Sequence, residues 1–335
     1  MGIAEREMVA KLASAFPEFE QGLGIGDDAA VLDQQGTLAI TNDMLVEDVD
    51  FTAQIPIELV AEKAIGSNLS DLAAMGAAPL AWLLGLGCRA DFLAQFDRFV
   101  HAIASVSRRY GIQLIGGDIS RAPSLILSIT AIGKITARPL LRSGAKPGDR
   151  IFVSRPLGAS AAGLRLLGRS WTVASDRTVT PPPGVSANFA EREFAAAAIL
   201  RHVAPEAEVQ LGRNLAEVDE VSACIDISEG LSTDLHHLCA ASGLGAIIDA
   251  NRLPAFQDLP SHARMVGESV SNLVLHGGEE YALLFTSTLT ESQMSSRVGR
   301  AVYAIGRMTR EREVLLENDG KRSPLPERGY EHFGV

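Results

Sequence analysis

The sequence predicts an α/β protein with mixed sheets, divided into two domains of similar size. Apolar segments rich in strand-forming residues alternate with amphipathic helical segments along the chain, which is typical of α/β proteins. The length of 335 residues gives room for two ordinary domains. Residues 136–149 contain two prolines and two glycines and are interpreted as a connector. We therefore expect domains at 1–140 and 141–335.

The first domain is predicted to begin with strands and to be completed by two helices. Strands are predicted at 29–33, 37–41, 80–87, 112–118 and 124–133, with a further extended stretch over 46–51. Pro56 opens a helical pattern that runs to about Met75, because proline fits the first turn of a helix. An amphipathic helix is predicted over 91–111, and Gly111 is expected to end it.

The second domain repeats the alternation of strands and helices. Strands are predicted near 150–154, 223–227, 245–249, 281–286 and 301–306, and helices near 159–168, 190–202 and 232–242. The segment "GLRLLGRS" is close to a phosphate-binding P-loop pattern, with Arg169 in place of the lysine. A P-loop has to join a strand to a helix, whereas these residues are interpreted as the end of an amphipathic helix.

Composition limits the classes of function. The formal net charge of −11 argues against a general nucleic-acid binder, whose surface would be basic. Three cysteines without tight spacing indicate reduced thiols in a cytoplasmic protein. The longest uncharged run, 72–88, is broken by glycines and a proline, so no membrane span is expected. The spacing of Cys224, His236, His237 and Cys239 fits no common zinc module.

Many acidic residues occur in one sequence context, at the end of an apolar strand or directly after glycine. They are Asp27, Asp28, Asp43, Asp118, Asp226, Glu229, Glu279 and Glu280. Asp71 is different, because it interrupts an apolar helical segment. Each acid alone has a simpler interpretation, since such residues cap turns and helices, and Asp71 could be exposed beside Glu62 and Lys63.

The recurrence of this context predicts that strand ends and glycine turns from both halves converge in one cleft. Several carboxylates there would suit Mg²⁺, which prefers oxygen ligands and completes its shell with water and phosphate oxygens. A site with several Mg²⁺ ions in an acidic protein indicates ATP or a phosphorylated substrate.

The order of these segments resembles the thiamine-monophosphate kinase family, within the superfamily of aminoimidazole ribonucleotide synthetase and selenophosphate synthetase. The resemblance covers nearly the whole chain and rests on "GIGDDAAVL", "NLSDLAAMGA", "QLIGGD", "RSGAKPGD", "GGE.Y" and "GYEHF". It implies ATP-dependent phosphorylation of thiamine monophosphate to thiamine diphosphate. It also implies a two-domain homodimer of the aminoimidazole ribonucleotide synthetase type, with the N-terminal sheets at the dimer interface and the active site between the domains.

The resemblance also assigns site residues. The implied metal-binding and catalytic positions are Asp28, Asp43, Asp71, Asp118 and Asp226, and the further metal-contacting positions are Thr41, Asn42 and Glu229. The implied ATP-contacting positions are Gly117, Asp118, Arg142 and Ser228, and the implied substrate-contacting positions are Asp50, Glu279 and Tyr330. Clustered Mg²⁺ would neutralise the two phosphate groups for direct in-line transfer, without a covalent enzyme intermediate.

Four positions depart from the family pattern. Asn42 stands where threonine is usual, and Glu229 and Glu280 stand where aspartate is usual. The largest change is Asp50, where the family has histidine, because aspartate repels phosphate and can only accept hydrogen bonds. The resulting hypothesis is an active kinase with weakened affinity for thiamine monophosphate.

Two alternatives remain open from the sequence. One is another ATP-dependent synthetase of the superfamily, which would leave an activated or cyclised acceptor. The other is a non-catalytic protein that binds nucleotide or thiamine phosphate, its site eroded at Asp50, Glu229 and Glu280. The presence of all five aspartates at the metal positions favours the kinase.

Overall fold

The computed structural model describes residues 5–25 and 29–330. Its N-terminal half is a four-stranded sheet with helices packed on one face. The elements are α1 (Glu5–Ala15), β1 (Gly22–Leu23), β2 (Val31–Leu32), β3 (Leu38–Val46), α2 (Ile57–Ala74), β4 (Ala77–Cys88), α3 (Phe96–Tyr110), β5 (Gln113–Arg121) and β6 (Ile126–Ile135). The strand order is β3-β6-β4-β5, in which only β4 and β5 are parallel, and β1 and β2 form a separate ribbon.

The C-terminal half is built around a seven-stranded sheet. Its elements are β7 (Arg150–Val153), α4 (Ala159–Gly168), β8 (Thr172–Val173), β9 (Val179–Thr180), α5 (Phe189–Val203), α6 (Val209–Ala216), β10 (Val221–Ile227), α7 (Leu231–Ser242), β11 (Gly245–Asp249), α8 (Leu259–Val266), α9 (Val270–His276), β12 (Ala282–Ser287), α10 (Glu291–Val298), β13 (Tyr303–Thr309), β14 (Val314–Asn318) and β15 (Lys321–Pro324). The order is β10-β12-β7-β13-β11-β14-β15, with β8 and β9 paired apart from it.

The seven-stranded sheet carries apolar cores on both faces, because successive side chains of a strand point to opposite sides. Ile151 and Val153 of β7 belong to one core, and Phe152 between them belongs to the other. Phe152 stacks on Phe285 of β12 with ring centroids 5.1 Å apart. Helices therefore cover both faces, as expected for an α/β domain.

Helix α2 lies between the two halves and is buried on nearly all sides. Fifteen of its eighteen residues are buried. It contacts β3 of the N-terminal sheet as well as β10 and α6 of the C-terminal half. The approach to α6 is close enough that a Cβ at Gly212 would lie 1.9 Å from the Ala73 carbonyl oxygen. Side chains of α2 can therefore join groups from both halves.

The predicted mixed α/β fold is confirmed, including the helix that begins after Pro56 and the helix that ends at Gly111. Gly111 adopts the left-handed conformation that commonly closes a helix. The described residues from 136 to 149 form no helix or strand. Across the described chain, no helix is both long and apolar enough to span a membrane.

The extended stretch predicted over 46–51 is wrong. Strand β3 ends at Val46, and a turn follows in which Asp48 has a φ of 68°. The Asp50 carboxylate accepts a hydrogen bond of 2.8 Å from the Val46 backbone N–H, which closes the turn. The apolar residues Val49 and Phe51, two positions apart, therefore continued a strand-like pattern beyond the point where the backbone reverses.

Candidate functional site

Three of the predicted metal-binding acids converge around α2. Asp43 lies on β3, Asp71 on α2 and Asp226 near the end of β10. Thr41 Oγ1 donates to Asp71 Oδ2 at 2.5 Å, and Ser70 Oγ donates to Asp226 Oδ2 at 2.7 Å. Adjacent residues of one helix thus connect the N-terminal sheet to the C-terminal sheet. We refer to Asp43, Asp71 and Asp226 as the aspartate cluster.

The aspartate cluster carries negative charge that the protein leaves partly uncompensated. Burial and the charge of Asp71 raise the pKa of Asp43 to about 6. Burial, then Asp71 and Asp43, raise the pKa of Asp226 to about 7. Burial also raises the pKa of Asp71, while the nearby Arg142 guanidinium acts to lower it. Buried carboxylates that repel one another are the donors a divalent cation would stabilise, so these residues fit Mg²⁺.

A polar stripe on α2 supplies much of this site. Lys63, Ser67, Ser70 and Asp71 follow one another at helical spacings that share a face, in a helix that is otherwise largely apolar. Lys63 is 2% exposed, so it does not lie on a solvated stripe as one interpretation of the sequence held. Sequence reasoning missed Lys63 as a site residue, although its position in this stripe could have indicated it.

The segments that contain Ser228, Glu229, Glu279 and Tyr330 meet next to the end of β10. The Glu279 backbone N–H donates to the Ser228 carbonyl oxygen at 2.7 Å, and the Tyr330 N–H donates to the Glu229 carbonyl oxygen at 3.1 Å. Burial, then the charges of Glu279 and Asp43, raise the pKa of Tyr281. Tyr281 therefore lies in the electrostatic field of both this group and the aspartate cluster.

Glu279 is held by side chains from two different helices. Lys63 Nζ lies 2.7 Å from its Oε1, and His202 Nδ1 of α5 lies 3.3 Å from its Oε2. Burial, assisted by the charge of Lys63, lowers the pKa of His202 well below its usual value. The lysine ammonium is thus the cation that compensates the Glu279 carboxylate.

Glu229 belongs to a further group of potential ligands. One atom each from Glu229, Asp234 and His237 lie within 4.8 Å of one another. Burial, then the charge of Asp226, raises the pKa of Asp234 to about 8, although its carboxylate accepts hydrogen bonds from the Glu229 and Gly230 backbone N–H groups. Among the described residues, this is the one group of three His, Cys, Asp or Glu side chains whose ligand atoms all lie within this distance of one another. The carboxylate oxygens of the aspartate cluster do not all lie this close together, so ions held there would complete their shells with water or phosphate oxygens.

Two predicted site residues lie away from the aspartate cluster. Asn42 points to the opposite face of the sheet from Asp43, and its Nδ2 donates to Thr130 Oγ1 at 2.9 Å and to the Ile129 carbonyl oxygen at 3.0 Å. Asp118 is exposed on β5, at the far edge of the sheet from β3. Two strands lie between them, so the backbones of β3 and β5 are about 14 Å apart.

The remaining positions have mixed outcomes. Gly117 has a φ of 151°, and a Cβ there would lie 2.0 Å from the Leu84 carbonyl oxygen, so the backbone itself requires glycine. Asp27 and Asp28 lie outside the described residues. Glu47, directly after β3, is buried and pairs with Arg89 at 2.6 Å. Asp48 is exposed in the turn that follows.

Comparison with known proteins identifies both halves. Residues 26–135 match the N-terminal domain of AIR synthase related proteins, and residues 146–315 match their C-terminal domain. A thiamine-monophosphate kinase of Escherichia coli O157:H7 is 38% identical over 322 residues, which cover 93% of this chain and 92% of the relative.

Solved structures agree with this match. The crystal structure of thiamine-monophosphate kinase from Stenotrophomonas maltophilia K279a superposes with a TM-score of 0.78 at 30% identity, covering 96% of this chain and 99% of that one. The structure of AaThiL complexed with AMPPCP and TMP has a TM-score of 0.74 at 31% identity, covering 88% of this chain and 87% of that one.

Proposed function

The chain belongs to the thiamine-monophosphate kinase family of AIR synthase related proteins, and we propose that its Mg²⁺-dependent phosphoryl transfer takes place at the aspartate cluster. The reaction is ATP-dependent phosphorylation of thiamine monophosphate to thiamine diphosphate. The observation that carries the proposed location is the convergence of Asp43, Asp71 and Asp226 from both halves of the molecule, with pKa values raised by burial.

The substrates explain why such a site is needed. The γ-phosphoryl group of ATP and the phosphate of thiamine monophosphate are both anions, so they repel one another. Several Mg²⁺ ions bound by the aspartate cluster would neutralise the phosphates and favour in-line attack. The attacking phosphate oxygen is already ionised near neutral pH, so the carboxylates are not required as strong bases. The residues of the chain contribute position and charge.

Individual roles follow from the arrangement. Arg142 already acts electrostatically on Asp71 and Asp226, which supports a contact with a nucleotide phosphate held there. The Glu279 backbone is hydrogen-bonded to Ser228, next to the end of β10. We assign its negative side chain a contact with the cationic thiazolium of thiamine. Tyr330 and Glu229 border the same region. Asp28 and Asp118 keep their family-implied metal roles within the proposal, and Asp118, on the far strand and the opposite sheet face, would bind metal apart from the aspartate cluster.

The proposal includes a homodimer formed through the open face of the N-terminal sheet. Ile40 and Met44 of β3 expose 66% and 55% of their surface there, on the face opposite α2. Apolar side chains repeated on one sheet face favour burial against another surface, and a second copy is the partner implied by the family. The proposal also places the protein in the cytoplasm, where its three unpaired cysteines would remain reduced.

Release of ADP tests the function. The purified protein is incubated with ATP and Mg²⁺, with and without thiamine monophosphate, and ADP and thiamine products are quantified. We expect ADP to appear only with the acceptor and in equal amount to thiamine diphosphate. ADP or phosphate formed with an activated or cyclised acceptor would favour a synthetase. Nucleotide binding without ADP release from any acceptor would favour the eroded homologue.

A further inference from the structure

Lys63 joins helix α2 to two other segments, the turn after β3 and a loop in the other half of the chain. Its ammonium lies 2.7 Å from Glu279 Oε1 in the C-terminal half and donates at 3.1 Å to the carbonyl oxygen of Asp50 in the turn after β3. The side chain is 3% exposed. An ammonium so deeply buried is costly unless it is paired, and these two oxygen atoms provide the pairing.

The backbone of Glu279 is fixed independently of Lys63. Its φ of 58° lies in the left-handed region that a residue with a Cβ rarely adopts. Hydrogen bonds from Glu279 N–H to Ser228 and from Tyr281 N–H to the Ile227 carbonyl oxygen, of 2.7 and 2.8 Å, hold the chain in this conformation. The backbone therefore directs the carboxylate into the interface between the halves, and the remaining freedom is that of the side chain.

The Glu279 side chain depends on Lys63 for its charge compensation. Among the described residues, His202 is the other side chain paired with this carboxylate, and its Nδ1 also lies 3.1 Å from Ser160 Oγ. With its lowered pKa, His202 is neutral at physiological pH and can supply a hydrogen bond but no charge. Without Lys63, the carboxylate would turn toward solvent or toward another cation.

We propose that Lys63 is a positioning residue of the acceptor site, which fixes Glu279 and the turn at Asp50 relative to each other across the two halves. The proposal rests on the proposed function, because Glu279 and Asp50 are acceptor-contacting positions only in a kinase of this family. It predicts that Lys63 sets the affinity for thiamine monophosphate rather than for ATP. Both groups that its ammonium contacts, the Glu279 carboxylate and the Asp50 carbonyl oxygen, belong to acceptor-contacting positions, so the nucleotide side should respond less.

Steady-state kinetics of Lys63→Met tests this assignment, because methionine keeps much of the apolar stem and removes the charge. We expect KM for thiamine monophosphate to rise by about tenfold or more, because the acceptor loses a pre-positioned contact. We expect KM for ATP to stay within about twofold. Folding is checked by thermal melting and by circular dichroism.

Glu62→Gln provides the matched control on the same helix. Glu62 precedes Lys63 but pairs with Arg109 and Arg177 at 3.1 and 2.7 Å, on the side of α2 away from the aspartate cluster. We expect both KM values of this variant to match those of the wild type. An equal rise in acceptor KM in Glu62→Gln would mean that any lost ion pair of α2 has this effect, and it would overturn the specific role of Lys63.

A double variant tests whether Lys63 acts through Glu279. Lys63→Met combined with Glu279→Gln should raise the acceptor KM no further than the larger of the single changes, because both remove one interaction. If the acceptor KM of the double variant rises by the product of the two single increases, the two residues act independently and the coupling is refuted. Lys63→Arg keeps the charge but holds it on a larger, planar group, so we expect an intermediate acceptor KM.

Two outcomes separate this inference from the proposed function. If the wild-type protein forms no thiamine diphosphate, the proposed function fails. If the wild type is active and a folded Lys63→Met variant has an unchanged acceptor KM, the role of Lys63 is refuted. Should Lys63→Met fail to fold, Lys63→Arg decides alone, and an unchanged acceptor KM in that variant refutes the role.

Discussion

At the residue scale, the buried carboxylate of Asp226 lowers the stability of the fold, and it is also a proposed metal ligand. Its carboxylate is 3% exposed, burial raises its pKa to about 7, and it accepts a hydrogen bond from Ser70. Asp226→Asn keeps an acceptor for Ser70 and removes the buried charge. We expect the melting temperature without Mg²⁺ to rise by a few degrees, and kcat/KM to fall by roughly a thousandfold because a metal ligand is weakened.

Differential scanning calorimetry with and without Mg²⁺ and ATP, together with kinetics, measures both effects. The wild-type protein should be stabilised by Mg²⁺ with nucleotide, and the variant should lose most of this stabilisation. Asp33→Asn, at an exposed position outside the site, serves as a control for removal of a carboxylate. Wild-type activity in Asp226→Asn would exclude Asp226 as a required metal ligand.

Asp50 has a structural role in the turn after β3 that the sequence did not reveal. Its carboxylate accepts the Val46 N–H, and its charge also acts to raise the pKa of Asp43. The hypothesis of weakened acceptor affinity stays a prediction, and two substitutions separate the charge from the turn. Asp50→Asn keeps an oxygen acceptor for Val46, whereas Asp50→His restores the residue usual in the family.

We expect both Asp50 variants to lower KM for thiamine monophosphate, because each removes a negative charge that repels its phosphate. Asp50→Ala removes the charge and the turn hydrogen bond together, so it should also lower the free energy of unfolding by about 1 kcal/mol. Acceptor kinetics and chemical denaturation measure these effects. An unchanged or higher KM in both Asp50→Asn and Asp50→His would contradict the repulsion.

At the element scale, the start of α4 depends on a buried acid from the loop before β12. Glu280 Oε1 accepts hydrogen bonds of 2.9 Å from the N–H groups of Gly158 and Ser160, and its Oε2 is buried without a hydrogen-bond partner. Burial raises the pKa of Glu280 to about 7, against the opposing effect of those N–H groups. The folded state therefore favours the protonated form more strongly than the unfolded state does.

This pKa gives a signed prediction for stability. Between the usual glutamate pKa near 4.5 and about 7, the folded state retains a proton that the unfolded state has lost. The contribution of Glu280 to the free energy of unfolding is complete below that range and is lost as pH rises through it. Glu280→Gln should flatten this part of the stability profile in urea denaturation from pH 5 to pH 8. An identical slope in both proteins would contradict the raised pKa.

The elements also show where sequence patterns succeed and fail. The limits of α2 were predictable, because Pro56 and the glycine after Met75 act locally on the backbone. The burial of Lys63 was not, since it depends on Glu279, which is more than two hundred positions away in the chain. The strand predicted over 46–51 failed because a single hydrogen bond from the Val46 N–H to the Asp50 carboxylate decided the turn.

At the scale of the whole molecule, strand order decides which predicted acids meet. Asp43 and Asp118 have similar sequence contexts, at or near the ends of apolar strands. The sheet order places β3 and β5 at opposite edges, and the strand pairings place Asp118 on the face shared by Met44 rather than by Asp43. Such an order arises from long-range pairing, which no local pattern encodes.

The open face of the N-terminal sheet carries the prediction about assembly. Met44→Lys replaces a side chain that is 55% exposed with a charged one, so it should be tolerated by the folded chain. Because a dimer interface would bury that charge, we expect the variant to shift toward monomer in light scattering coupled to size-exclusion chromatography. A wild-type protein that is monomeric at micromolar concentration would contradict the proposed dimer.

The fate of the γ-phosphoryl group tests phosphoryl transfer most directly. ATP with a heavy-oxygen label in its γ-phosphoryl group is incubated with the protein, Mg²⁺ and thiamine monophosphate, and the products are identified by mass spectrometry. Direct transfer predicts the label in the terminal phosphoryl group of thiamine diphosphate, with one ADP for each product molecule. Label recovered only in inorganic phosphate, or retained in ATP, would contradict a thiamine-monophosphate kinase.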